Sequence, residues 1–287
     1  MDINQTKLGD NGETLPVTVV VPVKNEEQNL PNCLSALGRF AHVVVVDSRS
    51  SDLTVSIAKA AGAEVLQFVW NGRYPKKRNW MLTTYAFKTE WVLFLDADEL
   101  IDENFCRTLQ KTLSMDQFDG FWLNYTNYFM GVRLRFGLPQ QKLALFKLGQ
   151  NLYERIDEEA WSSLDMEIHE HPLITGKVGY IDIPIQHNDY RGLSRFLNRH
   201  LEYASWEARR FLELNGLASA KHFTRRQKFK YKYINCWWYP WLYFIYSYLI
   251  KLGFLDGKPG FLYAFYKLWY YKTIRLLIQE RQKISRG

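Results

Sequence analysis

Three acidic residues directly follow an apolar run in the first half of the chain. Trp91–Leu95 is apolar throughout, and Asp96, Asp98 and Glu99 come immediately after it. Such a run is typical of a strand buried on both faces. Side chains two residues apart on an extended chain point the same way, so we expect Asp96 and Asp98 to converge on one cation. Their carboxylates suit Mg²⁺ or Mn²⁺ and favour a metal–diphosphate site, although they could instead cap a turn.

Strands and helices alternate around these acids. Apolar runs predict strands at Val17–Val23, Val43–Val46, Glu64–Val69 and Trp91–Leu95, with helices from Asn25 to Leu37, Thr54 to Ala61, Lys76 to Phe87 and Asp102 to Leu113. This alternation predicts an α/β fold with a parallel sheet, in which ligands bind at the carboxyl ends of the strands. Neither a Gly-x-Gly-x-x-Gly nor a Walker loop is present, so the dinucleotide fingerprint and the P-loop NTPases are not supported.

The pattern is less regular after the fourth strand. Further strands are predicted at Phe121–Tyr128, Leu143–Leu148 and Lys177–Ile185, and a helix at Leu193–Leu214. The segment Asp165–His171 lies among these elements and is rich in acids and histidine. This polar segment is the second place where we expect chemistry.

The charge of the chain is unevenly distributed. The chain has 287 residues, 47% of them hydrophobic, which is enough for a sizeable core. Residues 216–287 hold fourteen Lys or Arg and two acids, a balance of +12 within a net charge of +7, so the remainder carries −5. Ten of the eighteen residues in Phe229–Tyr246 are aromatic. A basic, aromatic tail is typical of proteins that bind an anionic surface, either phospholipid or nucleic acid.

The termini and cysteines indicate the compartment and the domain limits. Cys33, Cys106 and Cys236 are far apart and odd in number, which favours free thiols in a reducing compartment. Residues 1–15 are polar and lack the apolar core of a signal peptide, so we expect a disordered N-terminus. A catalytic domain is expected at 16–215, followed by a helical tail at 216–287.

Several segments occur in the order and spacing of a known enzyme family. They are Val19–Glu26, Val43–Asp52, Lys77-Arg78-Asn79 and Asp96–Glu99. With them, the chain resembles the family 2 glycosyltransferases of the GT-A fold over about residues 17–280. His169-Glu170-His171, the later His187 and Gly253–Gly257 resemble the lipopolysaccharide-core and exopolysaccharide branch of that family. The resemblance implies a Rossmann-like, mostly parallel sheet flanked by helices.

The resemblance also implies the reaction and the residues that hold the donor. Such enzymes transfer a sugar from a nucleotide diphosphate, usually that of uridine, to an acceptor hydroxyl with inversion. Pro22 and Glu26 match the loop that wraps the nucleoside. Asp47 matches the acid that hydrogen-bonds the nucleobase, and Arg78 matches the basic residue near the nucleotide.

Asp96 and Asp98 match the Asp-x-Asp motif that holds the ribose and a divalent metal, Mg²⁺ or Mn²⁺. A cation held by Asp98 would neutralise the charge that builds on the departing diphosphate, and Arg78 could add a second positive contact. His187 is predicted to bind the metal or a phosphate. The alternative for His187 is an ordinary hydrogen-bonded polar residue at a strand end.

Two departures from the family pattern affect the prediction. Arg49 stands where a Ser-Gly-Ser turn usually has glycine, which tolerates a positive φ better than arginine does. The acceptor-side Glu-Asp pair of many relatives is absent, and His-Glu-His lies near its place. No Gln-x-x-Arg-Trp motif is present, which argues against a processive synthase.

The acceptor hydroxyl must lose a proton as it attacks the sugar. Glu170 is the predicted general base, and Glu167 and Asp165 are its rivals, since sequence alone cannot order these acids in space. His169 and His171 are weaker candidates for roles beside it.

The aromatic segment Asn235–Leu252 is short for a membrane span and rich in Trp and Tyr, which prefer the membrane interface. We expect an interfacial helical hairpin that rests on anionic lipid. The alternative is an ordinary core helix or a dimer interface, and in the latter case the protein would be a homo-oligomer. Nucleic acid is a poorer interpretation because no nucleic-acid motif is present.

Together these features predict a metal-dependent, non-processive glycosyltransferase at the cytoplasmic face of the inner membrane. Its partners would be a nucleotide-sugar donor, a lipid-linked or lipopolysaccharide-type glycan acceptor and an anionic membrane surface. Two alternatives remain at this stage. One is a sugar-1-phosphate nucleotidyltransferase, and the other is a membrane-bound binding module without catalysis.

Overall fold

The computed structural model describes residues 13–149, 151–159, 161–162, 164–167, 170–188, 192–214 and 223–284. Most of the expected disordered N-terminus, residues 1–12, therefore lies outside the described residues, as does His169. The chain forms two compact units. The first comprises residues 1–127 and 140–190, and the second comprises residues 128–139 and 191–287.

The first unit is built on a block of four parallel strands, and the alternation predicted from sequence is confirmed. The strands are β1 (Leu15–Val23), β2 (Phe40–Asp47), β3 (Glu64–Gln67) and β4 (Trp91–Phe94), in the order β3-β2-β1-β4. They are joined by α1 (Leu30–Ser35), α2 (Thr54–Ala60) and α3 (Lys77–Thr84). Helix α1 is shorter than predicted, because Pro31 lies in its first turn and the residues before it form turns.

The sheet continues beyond β4 with strands of mixed direction. These are β5 (Glu99–Leu100), β6 (Gly120–Phe129), β7 (Val132–Arg133), β8 (Gln140–Lys147) and β9 (Val178–His187), with α4 (Glu103–Ser114) between β5 and β6. The order past β4 is β8-β6-β9-β5, and β7 pairs with the end of β6. The predicted cap of α4 is present, since Asp102 accepts a hydrogen bond of 2.8 Å from the Phe105 amide.

Both faces of the parallel block are buried, as the apolar run before Asp96 predicted. Trp91, Leu93 and Leu95 pack into the core on one face of the sheet, whereas Val92 and Phe94 pack into the core on the other. The same alternation holds along β1 and β2, because successive strand side chains point to opposite faces. The carboxyl ends of β1, β2 and β4 are thereby held at one edge of the sheet.

The turn after β2 accommodates the unusual Arg49. Its φ is 54°, so this arginine adopts the left-handed conformation that glycine would favour. Hydrogen bonds hold the turn, because the Ser50 amide and the Ser50 hydroxyl both donate to the Asp47 carboxylate. The backbone geometry of the turn is therefore retained without the glycine.

The second unit is largely helical. It contains α5 (Gly192–Glu213), α6 (Arg225–Tyr233), α7 (Tyr239–Ile245) and α8 (Gly257–Ile284), with a π-helical turn at Tyr246–Ile250 and a 3₁₀ turn at Gly253–Asp256. Ala204 and Ala208 of α5 share a buried cluster with Ile274 and Ile278 of α8. The second unit comprises residues 128–139 and 191–287, so α5 belongs to it. None of the described helices is both long enough and apolar enough to cross a bilayer.

Candidate active site

The predicted donor-binding residues lie around the carboxyl ends of the parallel strands. Asp47 is the last residue of β2 and Asp96 follows β4, so both emerge at the edge where ligands bind in open α/β sheets. Arg78 lies in the first turn of α3. The topology therefore brings residues that are distant in sequence to one edge.

The chain turns immediately after β4. The Glu99 amide donates to the Asp96 carbonyl at 3.0 Å, and the Asp96 amide donates to Glu99 Oε2 at 3.0 Å. The expectation that Asp96 and Asp98 share one extended face is therefore wrong, because residues 97 and 98 form the turn. The two aspartates have different partners as a result.

Asp96 is held by two cations. Arg78 Nη2 lies 3.1 Å from one carboxylate oxygen, and Lys142 Nζ lies 2.5 Å from the other. Burial alone would raise the pKa of Asp96, but Lys142 and Arg78 outweigh it and hold that pKa well below its usual range. Asp96 thus favours its anionic form and links α3 to β8 at the end of β4.

Asp98, Glu99 and His187 form the candidate metal centre, and each offers a ligand atom within 4.8 Å of the others. His187 Nε2 lies 3.4 Å from Asp98 Oδ2, and its Nδ1 lies 3.3 Å from Asn127 Oδ1. The antiparallel pairing of β5 with β9 sets Glu99 opposite His187. Two carboxylates and an imidazole fit a divalent ion such as Mn²⁺ or Mg²⁺.

Burial strongly affects the pKa values of Glu99 and His187 in this centre. It raises the pKa of Glu99 to about 7, although Lys142 opposes the shift. Burial lowers the pKa of His187, but Asp98 more than offsets this and the net pKa is raised. The sequence predicted Asp98 and His187 as ligands, whereas Glu99 was noted but not assigned.

Arg78 is fixed by Glu167. The amides of Arg78 and Asn79 donate to the Glu167 carboxylate at 2.8 and 3.0 Å, and Arg78 Nη1 donates to the Glu167 carbonyl at 2.5 Å. A carboxylate at this position satisfies free amides at the start of α3. The Arg78 guanidinium also lies 5.3 Å from the Tyr153 ring centroid. Glu167 therefore positions the arginine that holds Asp96.

Glu170 lies in a second charged cluster with Lys76 and Glu158. Lys76 is buried and ion-paired with Glu158 and, at 3.3 Å, with Glu170. Burial, together with Glu158 and Glu167, raises the pKa of Glu170 to about 7 against the opposing effect of Lys76. These residues line an open cleft.

The residues matched to the nucleoside lie beside this edge of the sheet. Pro22 is buried near the end of β1 and pairs with Val46 of β2. Asp47 also accepts a hydrogen bond of 3.0 Å from Gln67 of β3. Glu26 lies in the turn after β1 and accepts a hydrogen bond of 2.9 Å from Asn29.

Asp165 links this region to α3. Its carboxylate accepts a hydrogen bond of 2.5 Å from Ser48 and lies 3.5 Å from Lys77 Nζ. The His171 ring packs at a tilt against Trp122, with ring centroids 5.4 Å apart. Of the three rival acids, Asp165 binds the β2 turn, Glu167 binds the start of α3, and Glu170 pairs with a lysine in the cleft.

Sequence reasoning missed Lys142 altogether. It lies one residue before a predicted strand, and nothing in its immediate neighbours distinguishes it from a surface lysine. Only the antiparallel pairing of β4 with β8 brings it to Asp96.

Comparison with known proteins identifies a protein family that matches this chain. A protein-family model described as glycosyl transferase family 2 matches residues 18–202 of this chain. An uncharacterized glycosyltransferase of Rickettsia typhi is 21% identical over 279 residues, covering 94% of this chain and 90% of that protein. The lipopolysaccharide core biosynthesis glycosyltransferase LpsC of Rhizobium meliloti is 27% identical over 178 residues, covering 58% of this chain and 60% of LpsC. The chain covers 20% of a TPR repeat-containing protein of Synechococcus elongatus, at 34% identity over 84 residues.

Two solved structures are also similar to this chain. Residues 1–349 of TarS from S. aureus, in complex with UDP-GlcNAc, match at a TM-score of 0.46 and 15% identity, covering 93% of this chain and 91% of that one. Glucosyl-3-phosphoglycerate synthase from Mycobacterium tuberculosis, in complex with Mn²⁺, UDP and glucosyl-3-phosphoglycerate, matches at a TM-score of 0.31 and 23% identity, covering 42% of this chain and 45% of that one.

The raised pKa of Glu170 predicts how stability changes with pH. Its pKa is about 7 in the folded state against an ordinary 4.5, so the folded state binds the proton more tightly. Protonation of Glu170 therefore adds to the free energy of unfolding. This stabilisation is fully present below about pH 4.5 and is lost as the pH rises through 7. In urea unfolding, the free energy of unfolding of wild type should fall by up to about 3 kcal/mol relative to that of Glu170→Gln between pH 4.5 and 8. A difference that is constant or rises with pH would contradict the burial of this acid.

Proposed function

Because the chain belongs to glycosyl transferase family 2, we propose that it transfers a sugar, with inversion and non-processively, from a UDP-sugar to a hydroxyl of a lipid-linked or lipopolysaccharide-type glycan. The main support is the site at the edge of the sheet. There Arg78 binds Asp96, and Asp98, Glu99 and His187 form one group. Membership in the family argues against a sugar-1-phosphate nucleotidyltransferase and a binding module without catalysis.

The donor would lie across the ends of β1, β2 and β4. The Asp47 carboxylate is a hydrogen-bond acceptor suited to a nucleobase N–H, beside the turn that contains Glu26 and near Pro22. Asp96 would accept from the ribose hydroxyls. Among the described residues no acceptor contacts the buried Arg78 Nε, so this positively charged group has hydrogen-bonding capacity left for a phosphate oxygen.

The leaving group needs positive charge as the glycosidic bond breaks. A divalent cation, Mg²⁺ or Mn²⁺, held by Asp98, Glu99 and His187 would supply it when bound. Arg78 adds a fixed positive charge beside Asp96, since Glu167 and the Tyr153 ring hold the guanidinium in place. Charge that is already in position need not be reorganised during the reaction.

Glu170 is our proposed general base. Its two rivals already serve other roles, because Glu167 binds amides at the start of α3 and Asp165 binds Ser48 and Lys77. Glu170 lines the open cleft, and its pKa of about 7 is close to the pH at which a base is most effective. Lys76 would stabilise the carboxylate before it takes the proton of the acceptor hydroxyl.

The helical unit would bind an anionic membrane surface at the cytoplasmic face. Twelve of the twenty-four exposed large hydrophobic side chains among the described residues lie between Trp237 and Phe265. They include Trp237, Ile250 and Leu255, each more than half exposed. Basic residues of the tail, such as Lys251 and Lys258, accompany them. Exposed apolar and aromatic groups with nearby cations are typical of interfacial helices.

Replacing Asp98 tests the metal centre. We expect Asp98→Ala to lower UDP release from a UDP-sugar in the presence of Mn²⁺ by about 10²-fold or more, because the leaving diphosphate loses its counter-charge. Circular dichroism and the melting temperature should report an intact fold. Retention of wild-type, metal-dependent turnover would remove Asp98 from the mechanism.

Replacing Glu170 tests the base. In wild type the rate of transfer should rise with pH around a midpoint near 7, as Glu170 loses its proton. Glu170→Gln should lower that rate by about 10²–10⁴-fold and abolish the rise. Glu159→Gln, a more exposed glutamate that lines the same cleft, is the matched control and should behave as wild type. An unchanged pH profile in Glu170→Gln would assign the base elsewhere.

Flotation with vesicles tests the membrane surface. Wild type should float with vesicles that contain phosphatidylglycerol, and the double variant Ile250→Glu, Leu255→Glu should stay at the bottom of the gradient. Tyr180→Glu alters an equally exposed side chain on β9 and should float normally. Equal flotation of all three proteins would show that this apolar surface does not bind lipid.

A further inference from the structure

A lysine lies between two carboxylates of the candidate active site. Lys142 is the third residue of β8, and its ammonium contacts both Asp96, at 2.5 Å, and Glu99. The same ammonium lies 5.1 Å from the ring centroid of Tyr125. Only 25% of the lysine side chain is exposed, so solvent and salt screen these contacts little.

The charges at this turn are nearly balanced without a divalent cation. Asp96, Asp98 and Glu99 supply up to three negative charges. Arg78 and Lys142 supply two positive charges, both directed at Asp96, and Lys142 also contacts Glu99. Little negative charge is therefore left to attract a divalent ion when the donor is absent.

Glu99 belongs to two groups at once. One of its oxygens contacts Lys142 and the other accepts the Asp96 amide, while the carboxylate is also part of the group with Asp98 and His187. An ammonium and a divalent ion bound to the same carboxylate repel each other. A divalent ion must therefore compete with Lys142 for Glu99.

We propose that Lys142 is a built-in competitor that keeps the affinity of the site for a divalent cation low until a nucleoside diphosphate binds. This inference rests on the proposed function, since the donor's diphosphate brings the negative charge that accommodates both cations. Cation and nucleotide then strengthen each other's binding, and the coupling is equal in both directions. Lys142 is a positioning residue in this role, because it acts through Glu99 and Asp96.

A purely structural Lys142 makes the opposite prediction. If the lysine only ties β8 to the turn after β4, removing it leaves Asp96 and Glu99 less well placed. Cation binding would then weaken or stay the same. The sign of the change in cation affinity therefore separates the two roles.

Titration of the full-length protein with Mn²⁺, with free Mn²⁺ measured by electron paramagnetic resonance, tests the proposal. Without nucleotide, Lys142→Met and Lys142→Gln should each bind Mn²⁺ at least about tenfold more tightly than wild type. The gain in Mn²⁺ affinity that UDP produces should shrink by a similar factor. Lys142→Arg keeps the charge and should resemble wild type.

Two controls locate the effect. Lys147→Met changes a lysine on the same strand that pairs with Asp116 and Glu90 instead, and its Mn²⁺ affinity should equal that of wild type. Adding Asp98→Asn to Lys142→Met should abolish the tighter binding.

Unchanged or weaker Mn²⁺ binding in the folded Lys142→Met and Lys142→Gln variants would overturn the proposal, and so would tighter binding that survives Asp98→Asn. Failure of the proposed function gives a different result. In that case UDP would not alter Mn²⁺ binding to any of the proteins, while the titrations without nucleotide would still decide the role of Lys142.

Discussion

The half-buried carboxylate of Asp96 makes the contacts on which the rest of the site depends. It binds Arg78 of α3 and Lys142 of β8, so one anion at the end of β4 joins three elements. Removing either cation would leave part of this charge without compensation and so would destabilise the turn after β4. The neighbouring acids, Asp98 and Glu99, are the ones that group with His187.

Two glutamates in the first unit follow the same physical pattern. Glu99 lies beside Lys142 and Glu170 lies beside Lys76, and burial raises the pKa of each glutamate to about 7. In both pairs the nearby ammonium opposes the effect of burial. The balance places the pKa of both glutamates close to pH 7, where small changes in local charge alter their protonation. This is consistent with a site that must bind a highly charged donor and also accept a proton.

Local sequence patterns were sufficient to predict the helices and strands of the parallel block and the residues at which its strands end. The apolar run of β4 is buried on both faces, and Asp47 and Asp96 lie where those runs end, as predicted. The turn after β4 was only the alternative prediction, because three acids after a strand suit an extended chain and a turn equally well. The buried Lys76 was also missed, since its partners Glu158 and Glu170 lie more than eighty residues away in sequence.

Long-range strand pairing accounts for the other omissions. Glu99 meets His187 only because β5 pairs with β9 in one register, and Lys142 reaches Asp96 only because β8 lies next to β4. A shift of one residue in either pairing would turn these side chains to the opposite face of the sheet. No local pattern in the chain specifies those registers, so a sequence alone could name the acids but not their partners.

Turnover of a nucleotide sugar is the decisive measurement for metal-dependent sugar transfer by this protein. The full-length protein would be incubated with UDP-, GDP- and dTDP-sugars in turn, and the released nucleoside diphosphate would be measured with Mn²⁺, with EDTA, and after Mn²⁺ is restored. For a metal-dependent glycosyltransferase we expect UDP release from at least one UDP-sugar, loss of that release in EDTA and its return with Mn²⁺. Absence of turnover with every donor, or equal turnover in EDTA, would contradict it.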